Sequence, residues 1–384
     1  MVARGCFRQG DYLPRLIRIA LILIIGALAA RPLGPRFIGS AALPPVVQTH
    51  GHLTILRLRG TPYEMGYQRG IAQREVIRQW VSEKVYDRTI LGAAQPHGLL
   101  LAHARHLENT LPPEIRSEMR GIADGAGLSF QDVLLLNLVL NRLTASLPLI
   151  NPLPAPPTLE LQALAVAAWP PAAAQDDLFV GYLLETLYPA EWLRKHLLVV
   201  IYQPAHGSSY STLTWSGQVG AWCGLNEAGL AICATPAETR VNGAEELSPA
   251  LLTRQLLAQA ANREQALRQA IQRDYTAAFQ LLIADAASRS ATVIAYSDHK
   301  YEITSDAESR PGLLLIGPNS GQLAPALNHN HESLDRDKTL DILNSRGVCG
   351  ENTLFNVLFD PARGELWVGL DLWPASCRRY LQIK

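Results

Sequence analysis

The sequence carries no excess of charge of either sign: 34 Lys and Arg balance 34 Asp and Glu, a formal net charge of +0. Without a basic surplus it lacks the electrostatic footprint of a nucleic-acid partner. It contains no Gly-x-Ser-x-Gly elbow and no His-Glu-x-x-His helix, so neither of those hydrolytic sites is written in it. Internal repeats are absent, which sets aside solenoids and propellers. No cofactor is called for, and no metal-ligand set is well spaced. His103 and His106 stand three apart on a helical stretch, and the run Asn328-His329-Asn330-His331-Glu332 reads as solvated residues before a helix. Cysteine is scarce, with five in 384 residues. Cys6 lies in the extreme N-terminal stretch, leaving Cys223, Cys233, Cys349 and Cys377. Four thiols in an exported chain allow two disulfides that spacing alone cannot pair, and buried free thiols are the equal alternative.

What is present is apolar surface: 48% of the residues are hydrophobic and 18% are charged, ample for a large core. Arg4, Arg8, Arg15 and Arg18 precede an unbroken apolar run, Ile19 to Ala30. That run is short for a bilayer core of about 30 Å at about 1.5 Å per residue. A basic start, a short apolar stretch and the small-residue ending Ala27-Leu28-Ala29 fit a signal peptide over residues 1–30. An uncleaved signal anchor is the rival reading, and Arg31 favours it slightly. Both place the folded part outside the cytoplasmic membrane, with membrane contact only through the N-terminal segment if it stays uncleaved. Pro32, Pro35, Pro44 and Pro45 mark residues 31–46 as a linker. Residues 47–384 then form one domain.

The centre of that domain is Leu161 to Thr186. Leu161 to Trp169 is almost wholly apolar, as in a strand buried on both faces. Pro170 and Pro171 end it, since proline cannot donate to a sheet ladder. Gln175-Asp176-Asp177 makes a polar turn, and Leu178 to Leu184 is the return strand. A Pro-rich loop, residues 148–158, leads into the pair.

Around this hairpin the periodicity alternates between helix and strand. His52 to Arg59 has strand period. Thr61, Pro62 and Glu64 form a capping box with proline at the first helical position. Gly66 and Gly70 then share one helix face and let another backbone approach closely. Pro112-Pro113-Glu114 opens a helix that ends at Gly125 and Gly127. Leu128 to Asp132 caps the next, Val133 to Leu143. Leu197 to Tyr202 is a strand, and Gly217 to Ile232 reads as strand, turn, strand about Asn226-Glu227-Ala228-Gly229. Asn226 therefore reads as a turn residue. Ser248-Pro249 and Asn262 open helices. Phe279 to Ala284, Ala291 to Ser297 and Leu313 to Ile316 are strands, and Asn352 to Leu370 holds a last hairpin. Apolar strands flanked by helices predict an α+β fold with two stacked, mainly antiparallel sheets, the Leu161–Trp169 strand inside one of them.

A mobile loop feeding a buried hairpin, with Gly60-x-Pro62-x-Glu64-x-Gly66-x-x-x-Gly70 before it and Gly224-Leu225-Asn226-Glu227-x-Gly229-Leu230 after it, resembles the acyl-coenzyme A:6-aminopenicillanic acid acyltransferase family. These are autoprocessing N-terminal-nucleophile hydrolases. The resemblance runs over roughly residues 52–384 and implies a four-layer αββα sandwich that acts on amide bonds or transfers acyl groups. In the family an N-terminal Cys attacks a carbonyl, its own α-amine takes the proton, and backbone N–H groups with an Asn amide hold the oxyanion. With Trp169 and Gly181 fixing the register, the family's Cys falls on Ala163, its Arg or Gln on Tyr182, its Asn on Leu183 and its Asp on Glu185. In the later Gly317-Pro318-Asn319-Ser320 run, Asn319 matches and Ser320 replaces a His. Arg336 follows Ser333 as in the family.

Ala163 has no attacking atom, so the family's standard chemistry cannot run here. Two readings stand. One is a pseudoenzyme that keeps a pocket for a small acyl or amide ligand. The other is an active amidohydrolase or acyltransferase with a displaced nucleophile, for which Cys233 is the fallback. A strand thiol is more often structural than reactive.

Overall fold

The structure, a computed structural model, describes residues 44–384 except 87–96, 142–160, 175–176, 188–189, 237–246, 276, 306–309, 319, 346 and 370–378. Residues 1–43 (which include the segment read as a signal peptide), the Pro-rich loop 148–158, Gln175 and Asp176 of the hairpin turn, Asn319 and Cys377 therefore lie outside the described residues.

Strands β1 (Val46–His50) and β2 (Leu53–Gly60) pair antiparallel. Helix α1 (Pro62–Ala72) starts at the expected capping box: Thr61 Oγ1 accepts from the Glu64 N–H, and the Thr61 N–H donates to the Glu64 carboxylate at 2.8 Å. Such a cap contributes about 1 kcal/mol. Helices α2 (Arg74–Trp80), α3 (His97–Thr110), α4 (Pro113–Ala126) and α5 (Phe130–Asn141) follow. The glycine face of α1 meets α4 backbone to backbone. A Cβ on Gly66 would lie 2.1 Å from the Glu118 carbonyl oxygen, and one on Gly121 would lie 2.1 Å from that of Tyr63. No side chain fits that crossing, so the glycine spacing in the sequence encodes the contact itself.

Next come β3 (Leu161–Ala168), β4 (Phe179–Thr186), the short α6 (Glu191–Arg194), β5 (Leu197–Pro204), β6 (Tyr210–Trp215), β7 (Cys223–Asn226) and β8 (Leu230–Ala234). Helices α7 (Pro249–Gln259) and α8 (Arg263–Ile271) lead to β9 (Phe279–Asp285), β10 (Ser290–Ser297), β11 (Lys300–Thr304) and β12 (Leu313–Ile316). Helices α9 (Ala324–His329) and α10 (Arg336–Leu343) precede β13 (Thr353–Asp360), β14 (Glu365–Gly369) and β15 (Tyr380–Ile383).

The strands make two sheets, in the orders β1-β2-β5-β6-β7-β8-β9-β10-β11 and β12-β3-β4-β13-β14-β15. β2 and β5 pair parallel; the other pairings are antiparallel. The sheets face each other. Tyr182 of β4 donates its hydroxyl to the Ala234 carbonyl at the end of β8 at 3.0 Å, and Trp215 of β6 meets Phe355 of β13 at 6.4 Å between ring centroids. Helices cover the outer faces. A Cβ on Gly181 would come within 2.8 Å of Leu343 on α10, and one on Gly224 within 2.5 Å of Leu257 on α7. The architecture is the expected α+β sandwich of two sheets between helical layers, and β3 lies inside its sheet, between β12 and β4.

Behind the larger sheet sits a buried ionic cluster. Glu118 of α4 accepts from Tyr202 and from Arg254, each at 3.0 Å, and lies 3.7 Å from Arg69. Arg69 also donates to the Trp215 carbonyl at 2.7 Å, and the Arg254 guanidinium stacks over the Tyr202 and Tyr210 rings. Burying these charges is tolerable because each has several partners. The cluster ties α1, α4 and α7 to one sheet face.

Some elements escaped the sequence reading. β1 begins at Val46, the last residue assigned to the linker, and all five of its residues are exposed. β6, β11 and β15 were not anticipated. β6 mixes Ser and Thr with Leu and Trp, β11 is an exposed edge strand, and β15 is four residues at the other sheet's edge. β6 and β15 carry neither a long apolar run nor strict alternation, and the Lys300-Tyr301-Glu302-Ile303 alternation of β11 belongs to a strand of only five residues.

Candidate functional site

Residues directly opposite each other in an antiparallel pair share a face of the sheet. In the β3–β4 ladder Gln162 opposes Glu185, Ala163 opposes Leu184, Leu164 opposes Leu183 and Ala165 opposes Tyr182. Tyr182 points between the sheets, so Ala163, Ala165 and Leu184 point there too. Leu183 and Glu185 occupy the other face, toward α10. Of the four hairpin positions read from the sequence, Ala163 and Tyr182 therefore share the inner face. Glu185 stands across from Gln162, beside the peptide that joins Gln162 to Ala163.

Ala163 is 3% exposed. The chain leaving β12 closes over it. A Cβ on Gly317 would lie 1.9 Å from the Ala163 carbonyl oxygen, and Gly317 has φ +98, so contact and conformation both demand glycine. The Gly317 N–H donates to Gln280 Oε1 on β9 at 2.8 Å. Gln280 is fixed in turn, since its N–H donates to Thr235 Oγ1 at 2.8 Å and its carbonyl accepts from the Thr235 N–H. Sequence reading had not singled out Gln280 or Thr235. The signal that exists is one amide at an inward position of the strand Phe279–Asp285, whose other residues before Asp285 are apolar.

Further in, the inner face carries Tyr182 and two thiols. The Tyr182 phenol is fully buried and its pKa is pushed well up, first by burial and then by the neighbouring Cys223 and Cys233. Cys233 faces Cys223 directly across the β7–β8 pair. Burial pushes the Cys233 thiol well up as well, and that of Cys223 with it. Nucleophilic attack needs the thiolate, which this setting disfavours. Asn226 is a turn residue, as expected. Its Oδ1 accepts from the Ala228 and Leu230 N–H groups, and its Nδ2 donates to the Leu257 and Ala260 carbonyls. Every polar atom of its side chain is thus committed to holding the turn against α7.

Among the described residues no three His, Cys, Asp or Glu side chains gather as metal ligands. His331 contacts the Pro311 carbonyl at 3.0 Å, and Asn330 donates to the Ala326 carbonyl. Among the described residues no single helix is long and apolar enough to cross a membrane; α4 and α5 pass that test only together, bent by 116° at their junction.

The sequence model described as "Acyl-coenzyme A:6-aminopenicillanic acid acyl-transferase" matches residues 193–316. That span runs from the end of α6 through β12 and stops one residue short of Gly317. It begins after the β3–β4 hairpin. Among curated proteins, an uncharacterized protein of Archaeoglobus fulgidus is 28% identical over 193 residues, which is 46% of this chain and 32% of that protein. Protein dcd1A of Dictyostelium discoideum is 24% identical over 208 residues, 46% of this chain and 42% of that protein. The chain thus spans well under half the length of the curated relatives it matches. Among solved structures, the Caenorhabditis elegans ortholog of N-acylethanolamine-hydrolyzing acid amidase is similar at a TM-score of 0.43 with 15% identity, over 56% of this chain and 94% of that one. A mutant conjugated bile acid hydrolase from Clostridium perfringens is similar at 0.42 with 10% identity, over 58% and 92%. The match covers β5 to β12 and includes the Gly224–Leu230 motif, while the Gly60–Gly70 motif and the β3–β4 hairpin precede it.

Proposed function

We propose, from the family match over residues 193–316, that this protein is an exported relative of amide-acting acyltransferases and hydrolases that has given up their covalent chemistry. The observation that carries the reading is Ala163: a methyl group at the start of a buried inner strand, where the aligned family nucleophile would stand. The surroundings support it. Leu183 offers no hydrogen bond, the Tyr182 hydroxyl is committed to the Ala234 carbonyl, and the nearest thiols sit in a setting that keeps them protonated. A small acyl or amide ligand is the partner this reading assigns, held without being cut. Export rests on the basic, apolar N-terminal segment.

Autoprocessing needs a side-chain nucleophile at the cut site. The purified protein is therefore expected to show no fragment pair split near Gln162-Ala163 by intact mass, and no turnover of amide or thioester substrates. Ala163→Cys alone is expected to remain uncut, because Leu183 and Glu185 are also changed and a displacement of about 1 Å costs roughly 10²-fold in rate. Turnover by the wild-type protein that disappears in Cys233→Ala would establish the displaced-nucleophile reading instead. A C-terminal reporter recovered in the cytoplasm would refute export.

A further inference from the structure

Cys223 and Cys233 have no part in the proposed function, yet their placement is specific. They are directly opposite on neighbouring antiparallel strands. The Ala234 N–H donates to the Trp222 carbonyl at 2.8 Å, so Trp222 and Ala234 form the hydrogen-bonded pair. The next pair inward, Cys223 and Cys233, is then the non-hydrogen-bonded kind. Such pairs have Cα atoms about 4.5 Å apart and the closest side chains in a ladder, inside the roughly 4.4–6.8 Å that a disulfide spans. Both side chains point between the sheets, against Tyr182 of the opposite sheet. Both residues are fully buried. Both are thiols in this structure.

We infer that Cys223 and Cys233 are a modification site, a cross-strand disulfide made when the chain folds in an oxidising compartment. The step is a thiol–disulfide exchange with a disulfide-class oxidant, a glutathione disulfide or a protein one. One cysteine loses its proton and attacks one sulfur of the oxidant to form a mixed disulfide, while the oxidant's other sulfur leaves as a thiolate and takes up a proton. The second cysteine, deprotonated, then attacks the mixed disulfide and expels the other oxidant thiol. The two protein thiols lose two electrons and two protons, and the oxidant is recovered as two thiols. Burial means the bond forms while the β7–β8 strands are still open, and Tyr182 then closes over it. The bond would also remove Cys233 from any nucleophilic role. The inference leans on the export reading only for where the oxidant is met, so the test supplies the oxidant directly.

The full chain is refolded in a glutathione redox buffer, quenched in acid, denatured, alkylated without reductant and digested with trypsin. No Lys or Arg lies between residues 196 and 239, so both cysteines fall in one peptide, 196–240. The expected peptide has lost two hydrogens and carries no alkyl group, and it gains two alkyl groups when reduced first. Native protein incubated with excess oxidised glutathione gives the same readout without refolding, through local opening of the strands. Cys223→Ser is expected to leave Cys233 either alkylated or in a mixed disulfide with glutathione, and never in an internal disulfide. Peptide 196–240 carrying two alkyl groups after both oxidising treatments, or cross-linked to the peptide of Cys349, would overturn the inference.

Discussion

Two buried regions of this protein meet the same physical problem in opposite ways. Behind the larger sheet, Glu118, Arg69, Arg254 and Tyr202 keep their charges and polar groups and satisfy them against one another. Between the sheets, the positions where the resemblance places reactive groups hold Ala163, Tyr182 and, on the reverse face, Leu183. The first region remains polar because its groups are mutual partners that fix three helices to a sheet. The second is apolar at Ala163 and Leu183, and the Tyr182 hydroxyl there donates to the Ala234 carbonyl. A polar constellation that attaches helices behind one sheet and an apolar face between the sheets thus coexist in one fold.

The contrast is most easily broken at Glu118. Glu118→Ala leaves Arg69 and Arg254 buried without their carboxylate and is expected to destabilise by about 3–5 kcal/mol in urea unfolding. The glycine crossing beside it comes next. Gly66→Ala forces a methyl group onto the Glu118 carbonyl and is expected to cost about 1–3 kcal/mol or more. Between the sheets the effect shrinks. Tyr182→Phe removes one hydrogen bond to Ala234 and is expected to cost only about 0.5–1.5 kcal/mol by the same measurement. If Tyr182→Phe proved as costly as Glu118→Ala, the inner face would be a polar anchor after all.

The smallest effect expected is one of pH. His196 lies against the Trp80 ring, 5.4 Å between centroids, and its pKa is lowered from 6.5, first by burial and then by Lys195. The unfolded chain therefore binds a proton more readily than the folded one. Its contribution is complete above pH 6.5 and is lost as pH falls through that value toward the folded one. Thermal unfolding followed from pH 8 to about 5 should show a shallow decline that His196→Gln flattens.

The glycines of α1 and α4 show how much the sequence discloses when a local rule and a tertiary contact coincide. Spacing at i,i+4 put Gly66 and Gly70 on one face, and that face is where the second backbone sits. The α+β class and the β3–β4 hairpin were legible for a similar reason, because full burial demands unbroken apolar runs. β1 and β11 were not, since exposed edge strands need no apolar pattern. Gln280 was missed because a single amide in a strand says nothing of what it meets. Its partner Gly317 is 37 residues away in sequence.

By itself the sequence determined the buried hairpin, the helix caps, the glycine contact and the lack of a nucleophilic side chain at Ala163. Each follows from a residue's own covalent structure: a missing N–H, a missing Cβ, a missing thiol. Only the tertiary structure decided which side of each strand faces inward. It set Ala163 and Tyr182 on one face and Leu183 and Glu185 on the other, closed Gly317 over Ala163, and brought Cys223 opposite Cys233. Those facts depend on strand register and sheet stacking, which arise from packing among residues far apart in the chain and leave no mark on any one segment.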